Sequence, residues 1–289
     1  MGSVDAPRTI GVAGAGTMGA GIAQLACVAG ARTLLHDPLP EALDRGREWI
    51  HKRLEREVER GRLTADDATS AKERLSAAPA LDDLKPCELV IEAAPESLEL
   101  KRSLFTELAG RVVSEDCVLA TNTSSLLVTA IAAVVKRPER VVGMHFFNPA
   151  PVMTLVEVVR PLTASDETIA TAKAFVATCG KDAVHVKDRA GFIVNALLFP
   201  YLNNAVRMLD HGTASMQGID TAMKGGCNFP LGPFQLLDLV GLDTSVSILD
   251  ALYAEFKDPN YTPVPSLRRM VEAGLLGRKS GRGFYDYRS

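Results

Sequence analysis

The hydrophobic pattern of the chain changes character near residue 189. Before it, short apolar runs alternate with stretches of helical spacing; after it, only helical spacing recurs. The first run, Ile10, Val12 and Ala13, meets Gly14-Ala15-Gly16-Thr17-Met18-Gly19, and a small-residue helical pattern continues through Ala20, Ile22, Ala23, Leu25 and Ala26. This predicts a strand, a tight turn and a helix. Later runs predict strands over 33–36, 88–94, 118–121, 141–144, 155–159 and 183–186, with helices over about 98–108, 128–135 and 166–179. Near-continuous apolar strands separated by helices imply a parallel sheet covered on both faces. The stretch 41–60 carries a partial stripe of Leu43, Ile50, Leu54 and Val58, and a second helix runs from Thr64 to about Leu75. This hairpin is long for a plain crossover and is expected to project from the domain as a flap. Beyond Ala190, helices are expected over 191–209, 216–224, 234–256 and 265–273, with no convincing strand. The expected organisation is an α/β domain over 1–189 followed by an all-α domain over 190–289.

The glycine turn is the first candidate for chemistry. Gly14 can take a tight turn's backbone angles, Gly16 lets a pyrophosphate approach with no Cβ in the way, and Gly19 lets the helix pack close to the strand. The phosphates would sit on the helix's first amides, at the positive end of its dipole. Glycine-rich turns are common, but here the required context is present: a strand before, a helix after, and a second strand that ends in Asp37. An acid at that point is either a turn residue before Pro38 or the group that bonds the adenosine ribose hydroxyls. The strand–turn–helix–strand–acid order favours the second. An acid there repels a 2′-phosphate, so NAD is favoured over NADP.

Composition narrows the classes. The chain has 289 residues, 47% of them hydrophobic and 23% charged, with a net charge of −3, which suits two soluble domains and offers no basic footprint for nucleic acid. No apolar run approaches the roughly 20 residues of a membrane span. The N-terminal MGSVDAPR lacks a signal peptide's apolar core, so no leader is expected. Cys27, Cys87, Cys117, Cys179 and Cys227 are scattered, with no CxxC or Cys/His cluster. Neither a disulfide framework nor a metal site is indicated, and a reduced cytoplasmic protein is expected.

His145 follows the strand at 141–143, where ligands of open α/β sheets bind beyond the strands' carboxyl ends. Imidazole is the side chain that exchanges a proton near neutral pH. Alone, such a histidine is more often a satisfied core residue, but Glu157 gives it company. Glu157 lies within Leu155-Val156-Glu157-Val158-Val159, and an acid in a buried strand is costly without a partner. If the two strands are neighbours, Glu157 can bond the second imidazole nitrogen and stabilise the cation formed on proton abstraction. The alternative is an edge-strand acid facing water. Thr121-Asn122-Thr123-Ser124-Ser125 brings hydroxyls and amides to the same sheet edge, or is turn chemistry. Asn195, inside an apolar helix, wants a partner that is either a substrate carbonyl or another helix. The basic residues of the hairpin, Arg47, Lys52, Arg53 and Arg56, read as a solvated face, with a grip on an anionic ligand as the lesser alternative.

With these residues in view the chain resembles the 3-hydroxyacyl-CoA dehydrogenase family, and within it the bacterial 3-hydroxybutyryl-CoA dehydrogenases. The resemblance runs through GAGTMGAGIAQ (14–24), IEAAPES (91–97), TNTSS (121–125), HFFNPAPVMTLVE (145–157), DRAGFIVNALL (188–198), GPFQLLDLVGLDT (232–244) and GRKSGRGFYDY (277–287). HFFNP followed by the glutamate is its most specific part. The resemblance implies an α/β Rossmann-type dinucleotide-binding domain with a helical-hairpin arm, followed by an all-α dimerisation domain. It implies that His145 is the general base, Glu157 its orienting acid, and Ser124 and Asn195 substrate-polarising groups. Gly14, Gly16, Thr17, Met18, Gly19, Asp37, Glu96, Lys101, Ser124, Asn148 and Lys279 would then lie around NAD, and Lys52 and Arg53 would meet the CoA moiety. Ala94-Pro95 departs from the apolar β-branched residues that relatives more often carry before the glutamate; a proline there fits a loop at the strand's end.

The reaction so implied is reversible oxidation of an (S)-3-hydroxyacyl-CoA by a homodimer. A related dehydrogenase acting on a sugar acid or on a carrier-bound hydroxyacyl group is a rival; a free sugar acid would not need the basic arm. A non-catalytic NADH-binding protein is another, which would have no need of His145 and Glu157 together. A lysine-dependent β-hydroxyacid dehydrogenase is disfavoured by the HFFNP–Glu unit.

Overall fold

The computed structural model describes residues 5–288. Residues 1–4, on which the expectation of no leader partly rests, lie outside the described residues, as does residue 289. The chain divides into two compact units between Arg189 and Ala190, and each is taken by itself.

The first unit opens with β1 (Thr9–Ala13) and α1 (Thr17–Val28). The small residues Gly19, Ala20, Gly21, Ala23 and Ala26 are all buried, so the helix lies close on the sheet with Ile22 and Leu25 filling the space between. After β2 (Arg32–His36) come α2 (Pro40–Glu59) and α3 (Ala65–Arg74). The hairpin is not the projecting flap expected from its length. Leu43, Ile50 and Leu54 of α2 and Ala68 and Ala71 of α3 are buried in the same core as α1. At about 1.5–3 kcal/mol for each fully buried large side chain, α2 alone is firmly attached. Gly46 makes the approach possible, since a Cβ there would lie 2.8 Å from the Ala15 carbonyl oxygen. The hairpin also delivers a strand absent from the sequence reading, β3 (Leu75–Ala78), which pairs parallel with β2.

The alternation continues through β4 (Leu89–Glu92), α4 (Leu98–Glu107), β5 (Val118–Thr121), α5 (Val128–Ala132), β6 (Val141–Phe146), β7 (Leu155–Arg160), α6 (Asp166–Thr178) and β8 (Asp182–Lys187). Ser97 and Ser165 cap α4 and α6 by accepting a main-chain N–H, a contribution of about 1 kcal/mol each. The strands form one sheet in the order β3-β2-β1-β4-β5-β6-β7-β8. Six are parallel, but the sheet is not parallel throughout as expected. β7 runs antiparallel to β6, and β8 follows β7. The segment 147–154 that joins β6 to β7 is too short for the crossover helix a parallel return requires. Nor is the sheet covered everywhere: no residue of the edge strand β8 is buried.

The second unit contains α7 (Val194–Asp210), α8 (Met216–Cys227), α9 (Pro233–Val240), α10 (Leu242–Phe256) and α11 (Pro265–Glu272) around Phe199, Leu202, Phe234, Leu249, Leu252 and Leu267. Two boundaries differ from expectation. The first helix starts at Val194 rather than 191, because Gly191 and Phe192 have φ of +72° and +49°. The run expected as one helix over 234–256 breaks at Gly241, where φ is +104°. Two buried carboxylates latch the end of the chain. Asp238 accepts the amides of Phe284 and Tyr285 at 2.8 Å each, and Asp220 accepts the Tyr285 hydroxyl at 2.7 Å.

Candidate active site

The carboxyl ends of the parallel strands meet at one sheet edge, and the first unit's candidate residues other than Lys52 and Arg53 gather there or close behind it. At the end of β1 the turn holds Gly14 at φ +111°. A Cβ on Gly14 would lie 2.6 Å from the Ala93 carbonyl oxygen, and one on Gly19 only 1.7 Å from the Gly14 carbonyl oxygen, so neither position admits a side chain. Gly16 differs: a Cβ there would meet nothing within 4 Å. It faces open space at the first turn of α1, which carries no acidic residue. A bare helix N-terminus with open space before it suits an anion. Asp37 folds onto the same turn, its carboxylate accepting the Ala15 amide at 2.8 Å and the Leu39 amide at 3.0 Å. A cavity of about 990 Å³ runs over Gly14, Gly16, Thr17, Met18 and Asp37 to an apolar wall of Leu39, Leu81, Leu100 and Leu104. A diphosphate on the amides, a ribose on Asp37 and a flat base on the wall match an NAD adenosine half, so these residues fit that group.

Beside the turn, the ends of β4 and β5 are bound together through charge. Glu96 accepts the hydroxyl of Thr123 at 2.5 Å, the amides of Ser124 and Ser125 at 3.1 Å each, and the Ser125 hydroxyl at 3.0 Å. Burial pushes its carboxyl up; the Lys101 ammonium and these hydrogen bonds outweigh that and hold it below the ordinary range. Lys101 itself is fully buried, 2.6 Å from Glu92 and 3.4 Å from Glu96. Glu92, also fully buried, takes the Thr121 hydroxyl at 2.6 Å as well. Removing one member of such a buried pair costs about 3–5 kcal/mol, because the other charge is left stranded. The sequence reading missed Glu92, although an acid ending the apolar run Leu89–Glu92 resembles the signal that singled out Glu157.

His145 and Glu157 are direct cross-strand partners on β6 and β7. Nδ1 of His145 lies 2.7 Å from the Glu157 carboxylate, with His145 6% exposed and Glu157 fully buried. The edge-strand alternative for Glu157 is thereby removed. The Phe147 ring packs against the imidazole, centroids 4.4 Å apart. Asn122 accepts the Phe146 amide at 2.9 Å, which ties the loop after β5 to the end of β6. Asn148 is exposed in the turn that follows.

The remaining predicted residues stand in other elements. Lys52 is exposed on α2 and 3.7 Å from Glu48, while Arg53 lies over the Trp49 ring, 5.6 Å from its centroid. In the second unit Asn195 is buried at the start of α7, and Lys279 bonds Asp243 at 2.6 Å. Among the described residues no group of His, Cys, Asp and Glu is arranged to hold a metal ion.

Comparison with known proteins places this geometry. Residues 9–189 match the model of the 3-hydroxyacyl-CoA dehydrogenase NAD-binding domain, and residues 191–287 match that of the 3-hydroxyacyl-CoA dehydrogenase C-terminal domain. The chain belongs to the 3-hydroxyacyl-CoA dehydrogenase family. It is 46% identical to the 3-hydroxybutyryl-CoA dehydrogenase of Mycobacterium tuberculosis strain H37Rv over 98% of this chain and 99% of that one. It is 45% identical to a probable 3-hydroxybutyryl-CoA dehydrogenase of Bacillus subtilis strain 168, with 97% of each covered. Among solved structures, the (S)-3-hydroxybutyryl-CoA dehydrogenase of Ralstonia eutropha superposes with a TM-score of 0.95 at 44% identity, over 98% of this chain and 100% of that one. As a member of the 3-hydroxyacyl-CoA dehydrogenase family, the protein is an NAD-dependent oxidoreductase, and the glycine turn and Asp37 belong to its NAD-binding domain.

Proposed function

We propose that this dehydrogenase reversibly oxidises (S)-3-hydroxybutyryl-CoA to the 3-keto thioester, with His145 as general base and Glu157 as its orienting and charge-balancing acid. The observation that carries the proposal is the buried 2.7 Å contact between His145 Nδ1 and Glu157. Nδ1–H donates to the carboxylate, which fixes the tautomer and assigns proton exchange to Nε2. As Nε2 takes the hydroxyl proton of the substrate, the imidazolium gains a counter-charge already in place, so little reorganisation accompanies the step. Bound NAD supplies the hydride acceptor for C3. Ser124 and Asn195 polarise the oxygen at C3, and Lys52 and Arg53 meet the CoA phosphates. Glu96, Asn148 and Lys279 line the cofactor. The four-carbon substrate rests on the names of the relatives just given, whose identity spans nearly the whole chain.

The protein acts as a homodimer in the cytoplasm. Apolar side chains left exposed just before α7 and along it support pairing with a second copy: Ile193 at 38%, Leu197 at 72% and Met208 at 44%. Its five cysteines are free thiols, as a reducing compartment requires.

The test is a steady-state assay with NADH and with NADPH on acetoacetyl-CoA, longer 3-ketoacyl-CoAs and unconjugated keto acids. Preference for acetoacetyl-CoA with NADH supports the proposal. Turnover confined to free acids would replace it with the sugar-acid reading, and no NADH consumption on any of them with the binding protein.

A further inference from the structure

We propose that Glu92 and Lys101 are positioning residues that act through Glu96, holding its carboxylate as the acceptor that fixes the 123–125 loop and with it Ser124. The inference rests on the reading of Ser124 as a substrate-facing group.

A lysine with no exposed surface cannot touch a ligand from where it stands. Lys101 has none, so the contact with NAD implied by resemblance is replaced by a role behind the surface. Its ammonium has three protons, and three acceptors surround it: Glu92 at 2.6 Å, the Ala94 carbonyl at 3.2 Å and Glu96 at 3.4 Å. Glu92 is the nearer anion and is itself immobilised from two further sides, by the Ala94 amide and the Thr121 hydroxyl, both at 2.6 Å. The lysine is therefore held to the sheet by Glu92 and offers its remaining reach to Glu96.

The carboxylate of Glu96 divides its work between its oxygens. Oε2 faces Lys101, while Oε1 alone collects the two amides and two hydroxyls of Thr123, Ser124 and Ser125. One oxygen gathering four donors needs a full negative charge, and the neighbouring cation keeps it. Without the Glu92 charge the ammonium has only Glu96 to balance it. It then draws the Glu96 carboxylate toward α4 and off the loop amides. Two carboxylates on one buried lysine are thus a spacer, with Glu92 setting how far Lys101 reaches and Lys101 setting where Glu96 stands.

Glu92→Gln and Glu96→Gln test this, each followed by amide hydrogen exchange at Ser124 and Ser125 in enzyme without ligand, and by kcat and KM. In both variants the two amides should exchange at least about tenfold faster while the amides of β1 and β4 keep their protection. The kcat should fall about tenfold or more with KM for acetoacetyl-CoA within about threefold. Unchanged exchange at Ser124 and Ser125 in a folded Glu92→Gln protein overturns the proposal, whatever happens to kcat. Faster exchange with unchanged kcat upholds the control of the loop and removes Ser124 from its substrate role instead. If Glu92→Gln does not fold, the wild-type protein decides. Protection of the two amides should then persist on acidification until below the ordinary carboxylate value near 4.5. Loss of that protection at or above this value, with the rest of the sheet still protected, would overturn the proposal.

Discussion

His145 and Glu157 stand directly opposite each other across the antiparallel pairing of β6 with β7, the only one among the strands of the described residues, with Nδ1 2.7 Å from the carboxylate. Their meeting is set by strand register rather than by side-chain reach. A slip of one residue between β6 and β7 would turn Glu157 to the opposite face of the sheet. The register is tightly held, since a Cβ on Gly143 would lie 2.7 Å from the Cβ of its partner Val159. The Gly143→Val substitution should therefore force the strands apart and abolish turnover with loss of thermal stability. Wild-type melting and activity in that variant would mean the pairing is looser than this packing implies.

Glu157→Gln retains an oxygen for Nδ1 and removes the charge that balances the imidazolium. Turnover should fall, but by less than for a substitution of His145, with NADH affinity retained. A loss equal to that of the His145 variant would assign Glu157 more than orientation and charge balance.

Asp37 accepts the Ala15 amide with one carboxylate oxygen and the Leu39 amide with the other. Asp37→Ser should lower the ratio of kcat/KM for NADH over NADPH by about tenfold or more, equivalent to about 1.4 kcal/mol. An unchanged ratio would place discrimination elsewhere in the cavity.

The Glu96 carboxyl is held below its ordinary value, so its contribution to stability is present above the unfolded-state value and is lost as pH falls through the folded one. The difference in unfolding free energy between wild type and Glu96→Gln should stay level from about pH 8 to 5 and close only below about 4. Closure already between pH 7 and 5 would contradict the hydrogen bonding described here.

The parts of the site most open to sequence reading were those whose chemistry is local. The glycine turn, Asp37 and the suspect acid Glu157 each announce themselves by residue type against an apolar background. Strand pairing was less open, although the short segment 147–154 already required the chain to return antiparallel. The strand Leu75–Ala78 was obscured because its small residues continue a helical stretch without interruption. Lys101 was named only through the family resemblance, as a cofactor contact, and its residue type gave no sign of burial. A lysine four residues into a charged helix reads as solvated, and only the fold reveals the two carboxylates behind it. The break at Gly241 is of the same kind: glycine inside a periodic run permits a kink without requiring one.

The most direct measurement is the turnover of His145→Gln on acetoacetyl-CoA, with NADH affinity determined on the same preparation. General-base catalysis is typically worth about a hundred- to ten-thousandfold. A loss of that size or greater, with NADH bound as in wild type, is the expected result. Turnover close to wild type would remove His145, and with it Glu157, from the chemistry.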